Sequence, residues 1–211
     1  MTSILTNDFL IYKNASGKLE RSPVVVEHTK QTGNLSLLNP ESGQLLGTVN
    51  YILNTNPLKF EGLESYVNGK GVGTKLILEL IKISREIGAN GTLIAQASPF
   101  RSQVTTVKKP LTNLPFYYKC GFKAISSDRH DKIMELLTKG KDIPPALNAF
   151  TTISLSKEAA IALEQKAISQ QQAFEKQQIK KGTENLQQKI NLQNDATNIK
   201  LINKKLNEKN K

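Results

Sequence analysis

Three glycines at alternate positions, Gly69, Gly71 and Gly73, are the residues of this 211-residue chain whose type and spacing most directly suggest chemistry. Without Cβ atoms the backbone there can take positive φ, and nothing keeps a ligand away from the main-chain amides. The stretch Val67 to Gly88, V-N-G-K-G-V-G-T-K-L-I-L-E-L-I-K-I-S-R-E-I-G, turns directly afterwards into a helical pattern. A helix start has amides without intrahelical partners and carries the positive end of the macrodipole. The corner therefore reads as an anion cradle suited to a phosphate or diphosphate. An ordinary strand-to-helix turn would need the same glycines, so the corner alone leaves both readings open. Two common phosphate loops fail letter by letter. The dinucleotide pattern needs glycine where Thr74 stands, and the ATP-binding loop needs glycine where Glu64 stands and a hydroxyl residue where Gly71 stands.

The elements that must hold this corner are a strand before it and a helix after it. Val72, Leu76, Leu80, Ile83 and Ile87 recur at helical steps, with Ile77, Leu78 and Ile81 widening the apolar side enough to pack on a sheet. Lys75, Glu79, Lys82 and Glu86 alternate in charge along another face, which is expected to be solvated, and Gly88 stands where a helix commonly ends. Phe60 to Val67 reads as the strand entering the corner. Thr92-Leu93-Ile94-Ala95 follows the helix as a short apolar run, so the segment is expected to form strand, crossover helix and parallel strand.

A second stretch, Phe116-Tyr117-Tyr118-Lys119-Cys120-Gly121-Phe122, joins the first to produce a resemblance. Asn68 to Gly73, N-G-K-G-V-G, resembles the acyl-CoA loop of the GNAT family of N-acetyltransferases, with Asn68 where that family usually has Arg or Gln. The later stretch is similar to the family's F-Y-x-K-x-G-F signature and falls on the expected side of the loop. The resemblance spans residues 23 to 125 and the strand near 150 to 155. It implies an α/β (α+β) fold, a mixed and mostly antiparallel sheet flanked by helices.

It also implies acetyl-CoA as co-substrate, gripped by the main chain of Asn68, Gly69, Lys70, Gly71, Val72, Gly73 and Thr74. Backbone groups of Tyr66 and Val67 would pair with the pantetheine arm as an added strand does. Acetyl transfer to an amine needs a neutral amine, since amines are mostly protonated near neutrality, and a proton for the departing thiolate. The resemblance implies a carboxylate base on the strand before the loop, Glu61 or Glu64, and Tyr117 as the acid, with direct transfer in a ternary complex and no acyl-enzyme. Glu61 and Glu64, three apart, point to opposite faces of a regular strand unless a bulge intervenes, and a solvated strand carboxylate fits either one. A phenol is protonated at neutral pH and can donate. A packing tyrosine is the plain alternative for Tyr117, and a small buried residue is the expectation for Cys120.

The formal charge of +11 favours polyanionic partners without choosing among CoA phosphates, nucleic acid and acidic membranes. A lone cysteine excludes an internal disulfide and fits a reducing compartment. No run approaches the roughly 20 apolar residues of a membrane span, so a cytoplasmic location without a membrane span is expected. His28 and His130 lie far apart, and Asp128-Arg129-His130-Asp131 reads as a solvated turn, so no metal is expected. Lys108, Lys109 and Lys119 could assist CoA phosphates.

Composition changes after Ser156. Residues 157–211 hold nine Gln, seven Asn and no proline, and their eleven Lys against six carboxylates carry +5, leaving +6 for residues 1–156. The expected organisation is a GNAT-like domain over 1–156 and a basic Lys/Gln/Asn-rich tail over 157–211. The tail is open to a polar helix, a poor coiled coil or disorder, with partial helix preferred, and it could contact protein or nucleic acid. Residues 1–22 are ambiguous, either a strand or a docked arm. Beyond Pro23, Val24–Val26, Leu35–Leu38 and Leu45–Leu53 read as a meander. The interval Val26 to Leu35 is too short for the two helices that the family usually places between its first strands, which shape the acceptor site. The acceptor amine, whether small molecule, peptide or protein, is therefore not specified. Residues 98–110 form a long polar connection, Leu111–Tyr118 a short helix with Pro115 in its first turn, Ile133–Leu137 another, Phe150–Leu155 a closing strand, and Ser156 a helix cap. A catalytically inactive GNAT-like module acting through its basic tail is the alternative to the enzyme.

Overall fold

The computed structural model describes residues 3–67, 69–97, 99–100, 111–148 and 151–209. Asn68, Phe150, Lys108 and Lys109, with most of the polar connection, lie outside the described residues. Contacts divide the chain into two compact units, Met1–Ile168 and Ser169–Lys211.

In the first unit the strands are β1 (Ile4–Lys13), β2 (Leu19–Thr29), β3 (Asn34–Leu38), β4 (Leu45–Ile52), β5 (Leu58–Ser65), β6 (Leu93–Ala97), β7 (Pro99–Phe100), β8 (Leu111–Thr112), β9 (Lys123–Ala124) and β10 (Thr151–Leu155). The helices are α1 (Val72–Glu86), α2 (Leu114–Lys119), α3 (Ser127–Thr138), α4 (Pro145–Asn148) and α5 (Lys157–Lys209), the last continuing through the described part of the second unit. Eight strands form one sheet in the order β1-β2-β3-β4-β5-β6-β10-β9, while β7 and β8 pair separately. Every neighbour pair in the large sheet is antiparallel except β5 and β6, which α1 connects in parallel. This is the mixed, mostly antiparallel sheet flanked by helices.

The ambiguous N-terminal segment takes the strand alternative, supplying the ten-residue β1 and the first part of β2. The turn between them is built by Asn14, whose Oδ1 accepts from the amides of Ser16 and Lys18 at 3.0 Å each. Pro23 faces Phe9, and the bond from Asn14 N to Lys18 O makes Phe9–Pro23, by alternation, a pair that exchanges no main-chain bonds. A proline costs nothing there. Only short turns join β1 to β2 and β2 to β3, so neither link holds a helix.

The core lies between one face of the sheet and α1. Val72, Leu76, Ile77, Leu80 and Ile81 are buried with Leu35, Leu37, Val49, Leu58, Phe60 and Leu93. Burying each large side chain stabilises by about 1.5–3 kcal/mol. The opposite face of β3 and β4 is polar. Asn34 Nδ2 donates to Asn50 Oδ1 at 2.9 Å and Ser36 Oγ to Asn34 Oδ1 at 3.1 Å, with Thr48 Oγ1 donating to the Leu35 carbonyl at 3.1 Å.

α3 begins earlier than its apolar run suggests. Ser126 caps it by accepting from Arg129 N, so Asp128 to Asp131 form its first turn and not a loop. Ser156 likewise accepts from Ala159 N at 3.2 Å. The first unit reaches Ile168 because the start of α5 packs on it: Ala160 and Leu163 are buried, and Glu164 takes both guanidinium nitrogens of Arg85 at 2.5 Å. In the second unit, residues 169–209 are helical, with Ile179 and Leu186 exposed.

Candidate functional site

The parallel pair β5–β6 is joined at three residue pairs, Leu58–Leu93, Lys59–Ile94 and Phe60–Ala95. Past Phe60 the two strands diverge, β5 staying with β4 and β6 with β10. An opening is thus left between β5 and β6 on the side where α1 begins. It is the kind of switch point at which ligands meet the ends of parallel strands.

Gly71 makes the corner above it. At φ 74° and ψ 7° it occupies the left-handed region, where a side chain is strained, and it precedes the first residue of α1 without any side-chain cap. The first helical bond runs from Lys75 N to Gly71 O at 2.9 Å. Among the described residues no acceptor takes the amides of Gly69 to Thr74, and the first turn of α1 carries no carboxylate. Six consecutive amides at a positive helix end fit a diphosphate.

The other glycines of the corner have different reasons. A Cβ on Gly73 would stand 3.0 Å from Phe116 Cζ, so Gly73 lets α1 rest on the α2 ring. On Gly69 it would meet nothing within 4 Å. Gly47, which sequence reading passed over, is as important as either: a Cβ there would lie 2.5 Å from Val72 Cγ1 and 2.8 Å from the Glu64 carbonyl. Its absence seats the start of α1 on β4. A glycine inside a strand pattern was the available signal.

The hairpin β1–β2 reaches the same corner. The position of a Cβ on Gly71 is 3.5 Å from the Ile11 carbonyl oxygen and 3.7 Å from Tyr12 Cβ. Lys75 and Glu79, expected on a solvated face, have side chains only 12% and 13% exposed, because Asp8 of β1 closes over them. Lys75 Nζ binds Asp8 and lies 2.8 Å from Glu79 Oε1. Burial by itself would lower the Lys75 ammonium, yet Glu79 and Asp8 hold it above its ordinary value. Burial would likewise raise the Asp8 carboxyl, but Lys75 and the Phe9 amide hold it low. That cation is committed, whereas Lys70 on the loop is exposed.

Two of the backbone groups of Tyr66 and Val67 that sequence reading assigned to an added strand are engaged within the chain. The Tyr66 N–H is donated to the Leu46 carbonyl at 2.9 Å, and the Val67 carbonyl accepts from Ser65 Oγ at 3.0 Å. By alternation the main-chain groups of Ser65 and Leu63 face away from β4, toward the opening.

A bulge changes the two carboxylates. Thr48 faces Glu64 and Asn50 faces Glu61, so Val49 alone stands opposite Gly62 and Leu63. Gly62, at φ 62°, absorbs the extra residue. Glu61 and Glu64 therefore share the polar face of the sheet instead of pointing to opposite faces. Both are exposed, and Glu64 Oε2 accepts from the Tyr66 hydroxyl at 2.6 Å.

Tyr117 stands on α2 below the corner, 4% exposed, its ring centroid 6.1 Å from Phe60, 5.3 Å from Phe116 and 5.4 Å from Phe122. Phe60 is the last β5 residue still paired with β6, so Tyr117 lies under the point of divergence. Burial, with the Cys120 sulfur nearby, pushes its phenol far above the usual value, so it stays protonated. Burial likewise pushes the Cys120 thiol up to about 11, against smaller opposing effects of Thr74, Lys166 and Lys119. A thiol of that kind is no nucleophile near neutrality. At the N-cap of α2, Asn113 Oδ1 is buried without a hydrogen-bond donor. His28 is bonded to the Tyr51 hydroxyl, and His130 Nδ1 lies 3.1 Å from the Tyr118 hydroxyl. Among the described residues no group of His, Cys and carboxylates is arranged to hold a metal, and no helix is long and apolar enough to cross a membrane.

No family model and no curated protein matches the sequence. Among solved structures the chain is similar to an N-acetylglutamate synthase from Neisseria gonorrhoeae, complexed with coenzyme A and N-acetyl-glutamate. The likeness has 15% sequence identity and a TM-score of 0.37, over 58% of this chain and 25% of that one. The chain thus spans about a quarter of the length of the structure it matches. A likeness so distant carries nothing about the site, which rests on this chain's own residues.

Proposed function

We propose that the protein is an acetyl-CoA-dependent N-acetyltransferase that transfers the acetyl group directly to a primary amine in a ternary complex. The observation that carries this reading is the row of amides, Gly69 to Thr74, that no acceptor among the described residues takes, above a parallel strand pair that diverges after three residue pairs. The amides and the α1 terminus hold the diphosphate, and Lys70 adds charge at the rim. The Leu63 and Ser65 main chain takes the amides of the pantetheine arm, which replaces Tyr66 and Val67 in that role. The orphaned Asn113 oxygen suits an amide donor of the same arm.

Bound acetyl-CoA supplies an activated thioester. The acceptor nitrogen forms a bond to the acetyl carbon as the carbon–sulfur bond breaks. Tyr117, kept protonated by burial, gives its proton to the departing sulfur. Glu61 accepts the proton that the amine must lose, directly or through water. Of the two carboxylates Glu61 is assigned this role, because Glu64 Oε2 is already occupied by the Tyr66 hydroxyl. Both sit on the polar face, opposite the side covered by α1, so amine and nucleotide approach from different faces of the sheet.

Isothermal titration with acetyl-CoA tests the binding half of this reading, and a screen of amines that reads out free CoA thiol tests the chemical half. Saturable binding with thiol release dependent on an amine is the expected result. Absence of binding would leave the fold as an interaction module and end the enzymatic reading.

A further inference from the structure

The two margins of the large sheet are built differently. At one margin β9 is a two-residue strand, Lys123–Ala124, too short and too charged to template another chain. At the other margin β1 runs for ten residues and pairs, among the described strands, with β2 alone. Among the described residues it has few of the usual guards. It contains no proline or bulge, and over Ile4 to Phe9 its one charge, Asp8, is neutralised by Lys75. Ile4, Leu5 and Phe9 are exposed, Leu5 to 62%.

The hydrogen-bond parity of the hairpin says which groups are free. Since Asn14 bonds to Lys18, the even residues of β1 face β2, and Leu5, Asn7 and Phe9 point their main-chain groups outward. Toward the tip, Ile11 and Tyr12 lie against Gly71, which leaves the half from Ile4 to Phe9 open.

We propose that this half of β1 is a self-association surface, pairing antiparallel with β1 of a second copy about a two-fold axis through Asn7. In that register Asn7 meets Asn7 and exchanges both main-chain bonds, while Leu5 meets Phe9 of the other copy twice. All of these are the outward residues, so the ladder closes without disturbing β2. Leu5 and Phe9 share the face opposite α1, where Arg21 Cζ already lies 3.2 Å over the Phe9 ring. Each apolar contact is thus repeated across the axis, as an isologous interface requires. Charge selects the place as well. Two copies of a +11 protein repel over most of their surface, whereas within Ile4 to Phe9 the one charge, Asp8, is paired with Lys75, and the neighbouring cation, Arg21, is spent on the Phe9 ring. The Phe9 amide, held by Asp8 Oδ1 at 2.7 Å, must exchange that partner for the Leu5 carbonyl. That exchange and the short ladder make a weak interface, at the low end of specific sizes.

Sedimentation velocity of the full chain over a concentration series is the test. The expected mass rises from 23.4 kDa toward about twice that value as concentration increases. Leu5→Lys, at an exposed position, and Asn7→Pro, which removes only an outward amide, are each expected to abolish the rise while circular dichroism and the melting temperature stay unchanged. Cys120 is buried, so an added thiol can be read by itself. Asn7→Cys is expected to form a covalent dimer under mild oxidation, since facing residues of a hydrogen-bonded pair lie within disulfide reach, and Leu5→Cys is not. A wild-type protein that stays at monomer mass throughout overturns the proposal. So does a dimer that survives both Leu5→Lys and Asn7→Pro, or one that crosslinks at Leu5→Cys but not at Asn7→Cys.

Discussion

The two banks of the opening between β5 and β6 are built on different principles. On the α1 bank the proposed chemistry is main-chain: amides Gly69 to Thr74, beside a left-handed glycine and the seat that Gly47 leaves for Val72. On the β5 bank it is side-chain: Glu61 and Glu64 brought to one face because a single extra residue shifts the register against β4. Main-chain sites are specified by where side chains are missing. Side-chain sites are specified by register, which a distant partner strand decides.

Breaking the first bank should have the largest effect. Gly71→Val forces a β-branched residue into the left-handed region and points it at Ile11, so acetyl-CoA affinity should fall by about 100-fold or more, as a cost near 3 kcal/mol requires. Titration calorimetry reads this, and an unchanged affinity would refute the cradle. Next comes Tyr117→Phe, expected to lower kcat by about 100-fold, the low end of what one positioned proton transfer contributes, with acetyl-CoA affinity unchanged. Because the phenol is displaced far upward, it should add no limb to the kcat profile around neutrality. Equal activity would reduce Tyr117 to a packing residue.

The second bank is probed by a pair of variants. Glu61→Gln should lower kcat by about tenfold, whereas Glu64→Gln should change kcat by about threefold or less. Reversal of that order would move the base to Glu64. A smaller effect separates the glycines of the corner. Gly73→Ala should cost about 1–2 kcal/mol in urea unfolding, from crowding of Phe116, with acetyl-CoA affinity falling much less than in Gly71→Val. Last, the Cys120 thiol, at 9.0 in its ordinary state and about 11 when folded, contributes stability that is complete below pH 9.0 and lost as pH rises through about 11. The urea midpoint should decline over that window, and Cys120→Ala should flatten the decline.

Much of the first bank could be read from the letters alone. Apolar residues at helical steps after alternating glycines specify strand, corner and helix wherever the rest of the chain goes, and α1 ends at Glu86 beside Gly88 as its pattern predicts. What could not be read depended on contacts between remote segments. Lys75 and Glu79 look like a solvated pair until Asp8 arrives from β1, sixty-seven residues away. β1 itself, I-L-T-N-D-F-L-I-Y-K, does not alternate cleanly because one side meets α1 and the other is partly apolar at an open margin. Gly73 also makes room for the Phe116 ring, which its letter does not reveal, and the bulge at Gly62 has no local signal except the glycine. Tyr66 is in the expected place, yet the register of β4 takes its amide.

Three residue pairs are all that stitch β5 to β6, in the middle of an eight-stranded sheet. Mechanically the molecule is two half-sheets riveted at one end of a common seam, with α1 laid across as the splint. Amides of Phe60 and Gln96 should therefore be the sheet's first interior positions to trade hydrogen for deuterium. A ligand wedged into the free end of the seam would hold the halves at a set angle and slow that exchange far from any atom it touches.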